Sequence, residues 1–183
     1  MTSLLQFDQV TLRRGGRLLF EDLDFALGPG EALQVTGPNG SGKSSLIRLA
    51  AGLLRTHRGS VERSPLALAD DNLALDRELP LKRALHFWGG ATDEAMEALA
   101  IAHLARVPVR LLSSGQAKRA TLARVTASGA PLWLLDEPLN ALDAAGTGQL
   151  RELIGQHLQS GGAVLAASHQ PLPGEWRQLA LGE

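Results

Sequence analysis

Eight consecutive residues, Gly37-Pro38-Asn39-Gly40-Ser41-Gly42-Lys43-Ser44, fit the pattern G-x-x-x-x-G-K-[ST] at every fixed position. Glycines at that spacing let a loop turn several backbone N–H groups inward and approach an anion such as a phosphate closely. Lys43 is placed to reach the outer phosphates of a nucleotide and Ser44 to offer its hydroxyl to Mg²⁺, with Ser45 next in line. A second cluster ends the apolar run Leu132-Trp133-Leu134-Leu135 with two acids, Asp136 and Glu137. The carboxyl edge of a parallel sheet is where α/β ligands sit, so Asp136 is the metal candidate. Glu137 beside it is the residue to orient and deprotonate an attacking water. A chance glycine-rich turn competes with the first reading at below roughly one in twenty, given a strand before it and a helix after it. An ordinary acidic loop would compete evenly with the second reading if it stood alone. The two clusters together disfavour both.

The elements that must hold these groups read as α/β. Residues 5–12 and 18–27 look like strands around Gly15-Gly16, and Gly28-Pro29-Gly30 breaks the pattern. Residues 32–35 then form a short buried strand, 37–42 the glycine loop and 43–54 a helix, the opening of a nucleotide-binding unit. Apolar residues recur at helical spacing from Thr92, expected as a cap, to Val107, and Pro108 ends them. A strand at 132–135, a helix at 144–158 and a strand at 163–167 close the pattern. One domain over 1–183 is expected. Residues 1–72 and 128–183 form its α/β core with an N-terminal antiparallel β subdomain, and 73–127 an inserted helical subdomain.

Composition removes several alternatives. A chain of 183 residues suffices for one sizeable core but not two comfortable domains. The net charge of -1 offers no footprint for nucleic acid. Without cysteine there are no disulfides and no thiolate-bound metal. No basic stretch leads into an apolar one near Met1, so a secretory leader is not expected, and no apolar run is long enough to span a bilayer.

Further motifs narrow the class. Leu112-Ser113-Ser114-Gly115-Gln116 resembles the LSGGQ signature of ABC ATPases, a branch of the P-loop NTPases, with Ser114 where Gly is usual. Leu139-Asn140-Ala141-Leu142-Asp143 is similar to that family's D-loop, and Ser168-His169 lies where it carries a switch histidine. The order of motifs matches over essentially the whole chain. The resemblance implies a head-to-tail homodimer enclosing two ATPs, each between one copy's Gly37–Ser45 stretch and the other's Ser113, Ser114, Gly115 and Gln116. It implies hydrolysis at Glu137, aided by Lys43 and by His169 sensing the γ-phosphate. His57, His86, His103 and His157 lack such context and read as surface or interface residues.

A narrower resemblance, to the ATP-binding subunit of the haem exporter in bacterial cytochrome c maturation, rests on Ala167-Ser168-His169-Gln170-Pro171-Leu172. The 119–124 and 131–138 runs add to it. It implies integral membrane partners, a peripheral position on the cytoplasmic face of the bacterial inner membrane, and either haem export or ATP-driven release of haem to a periplasmic chaperone. Two departures from the ABC pattern bear on the site. The aromatic that stacks on adenine falls at Arg13 or Arg14, in a chain without tyrosine. The Q-loop glutamine, a metal contact, aligns on Asn72, which is one methylene shorter.

Downstream of Asn72, the apolar residues Leu73, Leu75, Leu79, Leu81, Leu85, Phe87 and Trp88 either form a groove for a helix of the membrane subunit or pack as core; the two readings weigh about evenly. Three functions therefore compete: a transporter ATPase, a soluble ABC protein acting on DNA or ribosomes, and a weakly catalytic regulatory module. The near-neutral charge and the lack of coiled-coil insertions speak against the second. Glu137 and His169 speak against the third.

Overall fold

The computed structural model describes residues 3–182 of the chain. Its centre is a five-stranded parallel sheet in the order β5(Leu66–Ala69), β6(Leu132–Asp136), β7(Ala163–Ala167), β3(Ala32–Thr36) and β8(Arg177–Ala180). On β6 and β7 the side chains alternate between two buried clusters. Leu132, Leu134 and Leu165 enter one, while Trp133, Leu135 and Val164 enter the other. Burial on both faces is why these strands read as unbroken apolar runs.

The first cluster is covered by helix α1(Lys43–Ala50) and by an antiparallel sheet of β1(Leu5–Arg14), β2(Arg17–Leu27) and β4(Arg58–Arg63), ordered β2-β1-β4. The second is covered by α4(Ser114–Ala127) and α5(Ala144–Gln159), together with α2(Leu81–His86) and α3(Thr92–Ala98). Among the described residues, no helix is long and apolar enough to cross a membrane.

Several elements depart from the sequence reading. Helix α1 stops at Ala50 instead of running to 54, with a turn at 51–54. The helical spacing over 92–107 covers two pieces, because the chain breaks after Ala98, passes Ala100 at φ 53° and resumes as a 3₁₀ turn, Ala102–Leu104. Met96, Leu99 and Leu104 still face one core, so the apolar pattern continues across the break. Thr92 is not the cap: Ala91 holds that position, and the Thr92 hydroxyl is buried without a partner. Leu75, Leu81 and Leu85 are buried, with Leu73 and Leu79 packed against them, while Phe87 and Trp88 are exposed at 82% and 47%.

Candidate phosphate and water-activating site

Three strand ends build the site. After β3, the loop doubles back through Gly37, whose φ of 139° suits glycine alone, and a side chain there would strike the Leu181 carbonyl oxygen. The loop ends at the first turn of α1, whose positive end borders the cavity lined by Asn39, Gly40 and Gly42. Lys43 is buried, and its Nζ donates to the Gly37 and Pro38 carbonyls at 2.8 and 3.1 Å. The ammonium is thereby fixed at the mouth of the loop.

The next residue, Ser44, donates from Oγ to Oδ1 of Asp136 at 3.1 Å, which joins the loop to the end of β6. Burial pushes the Asp136 carboxyl above the usual range, and the Ser44 hydroxyl opposes that shift. A hydroxyl beside a carboxylate is a hard oxygen pair of the kind that suits Mg²⁺, an ion which takes few protein ligands and completes its shell with water and phosphate. Among the described residues no group of three or more His, Asp or Glu side chains converges, so a caged metal is not offered.

Glu137 follows at φ 45°, a strained value for this residue type. The parallel register pairs Asp136 with Ala167, and the Glu137 amide donates to the Ala167 carbonyl at 2.8 Å. This register brings the segment after β7 beside the Glu137 carboxylate, where His169 Nδ1 lies 2.8 Å from Oε2. A carboxylate only accepts, so Nδ1 carries the proton, and Nε2 then accepts from the Gln170 amide at 3.2 Å. Glu137 also lines one cavity of about 360 Å³ together with Lys43, Ser44 and Ser45.

Two buried polar residues that hold this constellation escaped the sequence reading. Gln34, on β3, donates to the Gln170 carbonyl at 2.7 Å and accepts from the Leu172 amide at 3.4 Å, pinning the loop that carries His169. Its signal is a polar side chain among the buried residues 32–35. Lys118, buried on α4, donates to the Asp136 carbonyl at 3.4 Å. Burial lowers its ammonium pKa, while Asp71, Asp136, Glu137 and Asp70 work in the opposite direction. Its signal is its place on the stripe Lys118, Leu122, Val125.

Other expected residues lie elsewhere. Ser113 caps α4: its Oγ accepts from the Gln116 amide and Gln116 Oε1 accepts from the Ser113 amide, a reciprocal capping box. Ser113, Gly115 and Gln116 line a separate cavity with His103 and Arg119, so within one copy the signature does not share the space around Lys43. Asn72 is not brought to Ser44 and Asp136 in this conformation. Its amide donates to Asp70 Oδ2 at 3.0 Å, and it lines an apolar cavity with Trp88 and Arg124. His57, His86 and His103 are exposed, as a surface reading requires. His157 departs from that reading, being partly buried and stacked on Trp133 at 3.9 Å between ring centres.

Known proteins resemble the chain over most of its length. The family model described as ABC transporter matches residues 20–140. The cytochrome c biogenesis ATP-binding export protein CcmA of Sphingopyxis alaskensis is 56% identical, over 92% of this chain and 91% of its own. The protein of the same name from Zymomonas mobilis is 51% identical, over 94% and 81%. Among solved structures, an ATP-binding subunit of an ABC transporter superposes with a TM-score of 0.84 at 21% identity, covering 91% of this chain and 80% of that one. An inward-facing putative metal-chelate type ABC transporter gives 0.78 at 27%, covering 99% and 80%.

Proposed function

The chain belongs to the ABC transporter family of ATP-binding proteins, and from that premise we propose that it is the ATP-hydrolysing subunit of a cytochrome c biogenesis exporter. The observation that carries the reading is the junction of Ser44 with Asp136, at 3.1 Å, in a cradle whose cavity Glu137 also lines. The 56% identity to a cytochrome c biogenesis export protein supports the narrower assignment.

In this reading the loop amides from Asn39 to Ser45 and the Lys43 ammonium grip the phosphates of ATP. Ser44 and Asp136 hold Mg²⁺, which when bound neutralises charge on the phosphate oxygens. Glu137 orients the attacking water and accepts its proton, and His169 holds the Glu137 carboxylate in place. Ser113, Ser114, Gly115 and Gln116 serve the ATP on a second, head-to-tail copy, for which the N-terminal end of α4 offers a positive pole. Closing and opening of the dimer is passed to integral membrane subunits as a rigid-body movement. The chain then sits on the cytoplasmic face of the bacterial inner membrane. Residues 73–127 are the helical subdomain that meets those subunits, with exposed Phe87 and Trp88 beside an apolar cavity of about 470 Å³. The cargo reading is haem export, or release of haem to a periplasmic chaperone.

Co-expression with the membrane subunits, detergent extraction and an ATPase assay test the proposal. The chain is expected to co-purify and to turn over Mg-ATP faster in the complex than alone. Failure to co-purify, with equal turnover by the free chain, contradicts the transporter assignment.

A further inference from the structure

Lys118 is a buried cation that the chemistry above leaves without a task. It reaches from α4 toward the end of β6, is only 9% exposed, and donates from Nζ to the Asp136 carbonyl oxygen at 3.4 Å. It also lines a cavity of about 230 Å³ with Asp70, Asp71, Ser114 and Asn140, separate from the one around Lys43. Burial lowers the pKa of this ammonium, and four carboxylates oppose that shift, Asp71 ahead of Asp136, Glu137 and Asp70.

These acids have little other compensation. Among the described residues, Asp70, Asp71 and Asp136 form no ion pair, and Glu137 pairs only with His169, which is neutral when its Nε2 accepts from Gln170. Both Asp70 oxygens accept from Asn72, at 3.0 Å each. The Lys43 ammonium is held on the loop side, by the Gly37 and Pro38 carbonyls. Burial, Asp71 and Glu137 all push the Asp136 carboxyl up, against the Ser44 hydroxyl and Arg48. A pole of four acids attracts a free divalent ion and repels phosphates. A fixed positive charge inside the pole weakens both tendencies, and in a partly buried setting charges act several times more strongly than in water.

We propose that Lys118 is a positioning residue, a built-in counter-cation that holds the end of β6 from behind and disfavours metal at Asp136 until a nucleotide brings it. The inference rests on the nucleotide reading above and adds to it the residue that sets the balance between metal and phosphate.

Calorimetric titrations of the full chain with MnCl₂ alone, and with ATP in excess EDTA, test this without turnover. Lys118→Gln keeps a donor for the Asp136 carbonyl but no charge; Lys118→Met keeps neither and serves if the first variant does not fold. Each is expected to bind Mn²⁺ about tenfold more tightly than the unmutated chain and metal-free ATP about tenfold more weakly, the scale of one unit charge lost from a partly buried site. A merely damaged fold weakens both. Asp71 is exposed, so Asp71→Asn leaves the core intact, and adding it to either variant should return both values toward those of the unmutated chain. Shifts of the same sign, an unchanged value for either probe, or no return with Asp71→Asn would overturn the counter-cation, while binding of Mg-ATP by the unmutated chain would keep the nucleotide reading standing. If the unmutated chain does not bind Mg-ATP, both readings fall together.

Discussion

His169 Nδ1 and Glu137 Oε2 lie 2.8 Å apart at the ends of neighbouring strands β7 and β6, so the carboxylate that should face water is already engaged by an imidazole. A base held this way keeps one orientation, since the His169 backbone amide also approaches the same oxygen at 3.5 Å. The arrangement suits a general base with an orienting partner.

Replacing either member of the pair separates chemistry from geometry. Glu137→Gln keeps an oxygen that can accept from His169 but removes the base, and turnover should fall about 10²- to 10⁴-fold. His169→Ala leaves the base in place but unheld, and should fall less. Nucleotide affinity should stay unchanged in both. Steady-state kinetics alongside binding titrations check this; wild-type turnover in Glu137→Gln would remove the assignment of the base.

A consequence for stability and activity together follows from Gln34. Its amide meets Gln170, Leu172 and Gln178, so Gln34→Leu keeps much of the volume but leaves the buried Leu172 amide without its acceptor and the Gln170 carbonyl without its donor. Stability should drop by about 1–3 kcal/mol, the usual cost of an unmet buried hydrogen bond. Turnover should drop as well, because the loop that carries His169 loses its anchor. Urea unfolding and ATPase rates on one preparation test both halves. A large loss of stability with full turnover would show that the anchor does not position His169.

Much of this framework was readable from residue patterns, and the reasons for the gaps are physical. Strand β7 and helix α5 were anticipated within a residue because Gly161-Gly162 and Asp143 punctuate them, Asp143 as the N-cap of α5. Lys43, Asp136 and Glu137 stood out because residue type and spacing alone define their chemistry. Short strands such as β4, β5 and β8 did not, since four to six residues carry too little periodicity. Gln34 and Lys118 were missed for a different reason. Their importance comes from partners far away in sequence, which only the strand register and the packing of α4 bring together. His157 looked like a surface residue because nothing in its own helix reveals the Trp133 ring beneath it.

The stacked His157 gives the fold an acid sensitivity of known sign. Burial holds its pKa below the ordinary 6.5, so between the folded value and 6.5 the unfolded chain binds the extra proton. Stability from this residue is therefore full above 6.5 and is lost as pH falls through that window. His157→Phe preserves the stack without titrating and should flatten the slope. Urea midpoints followed by tryptophan fluorescence from pH 5 to 8 measure it. An unchanged slope in the variant would rule His157 out as its source.

The central claim, a loop around Lys43 that grips the phosphates of ATP, is tested most directly by titrating the purified chain with Mg-ATP while following heat and thermal stability. Saturable binding and a raised melting temperature are expected, with both lost or strongly weakened in Lys43→Ala, whose ammonium otherwise sits 2.8 Å from the Gly37 carbonyl. No heat and no thermal shift in the unmutated chain, or identical binding by Lys43→Ala, would contradict the account.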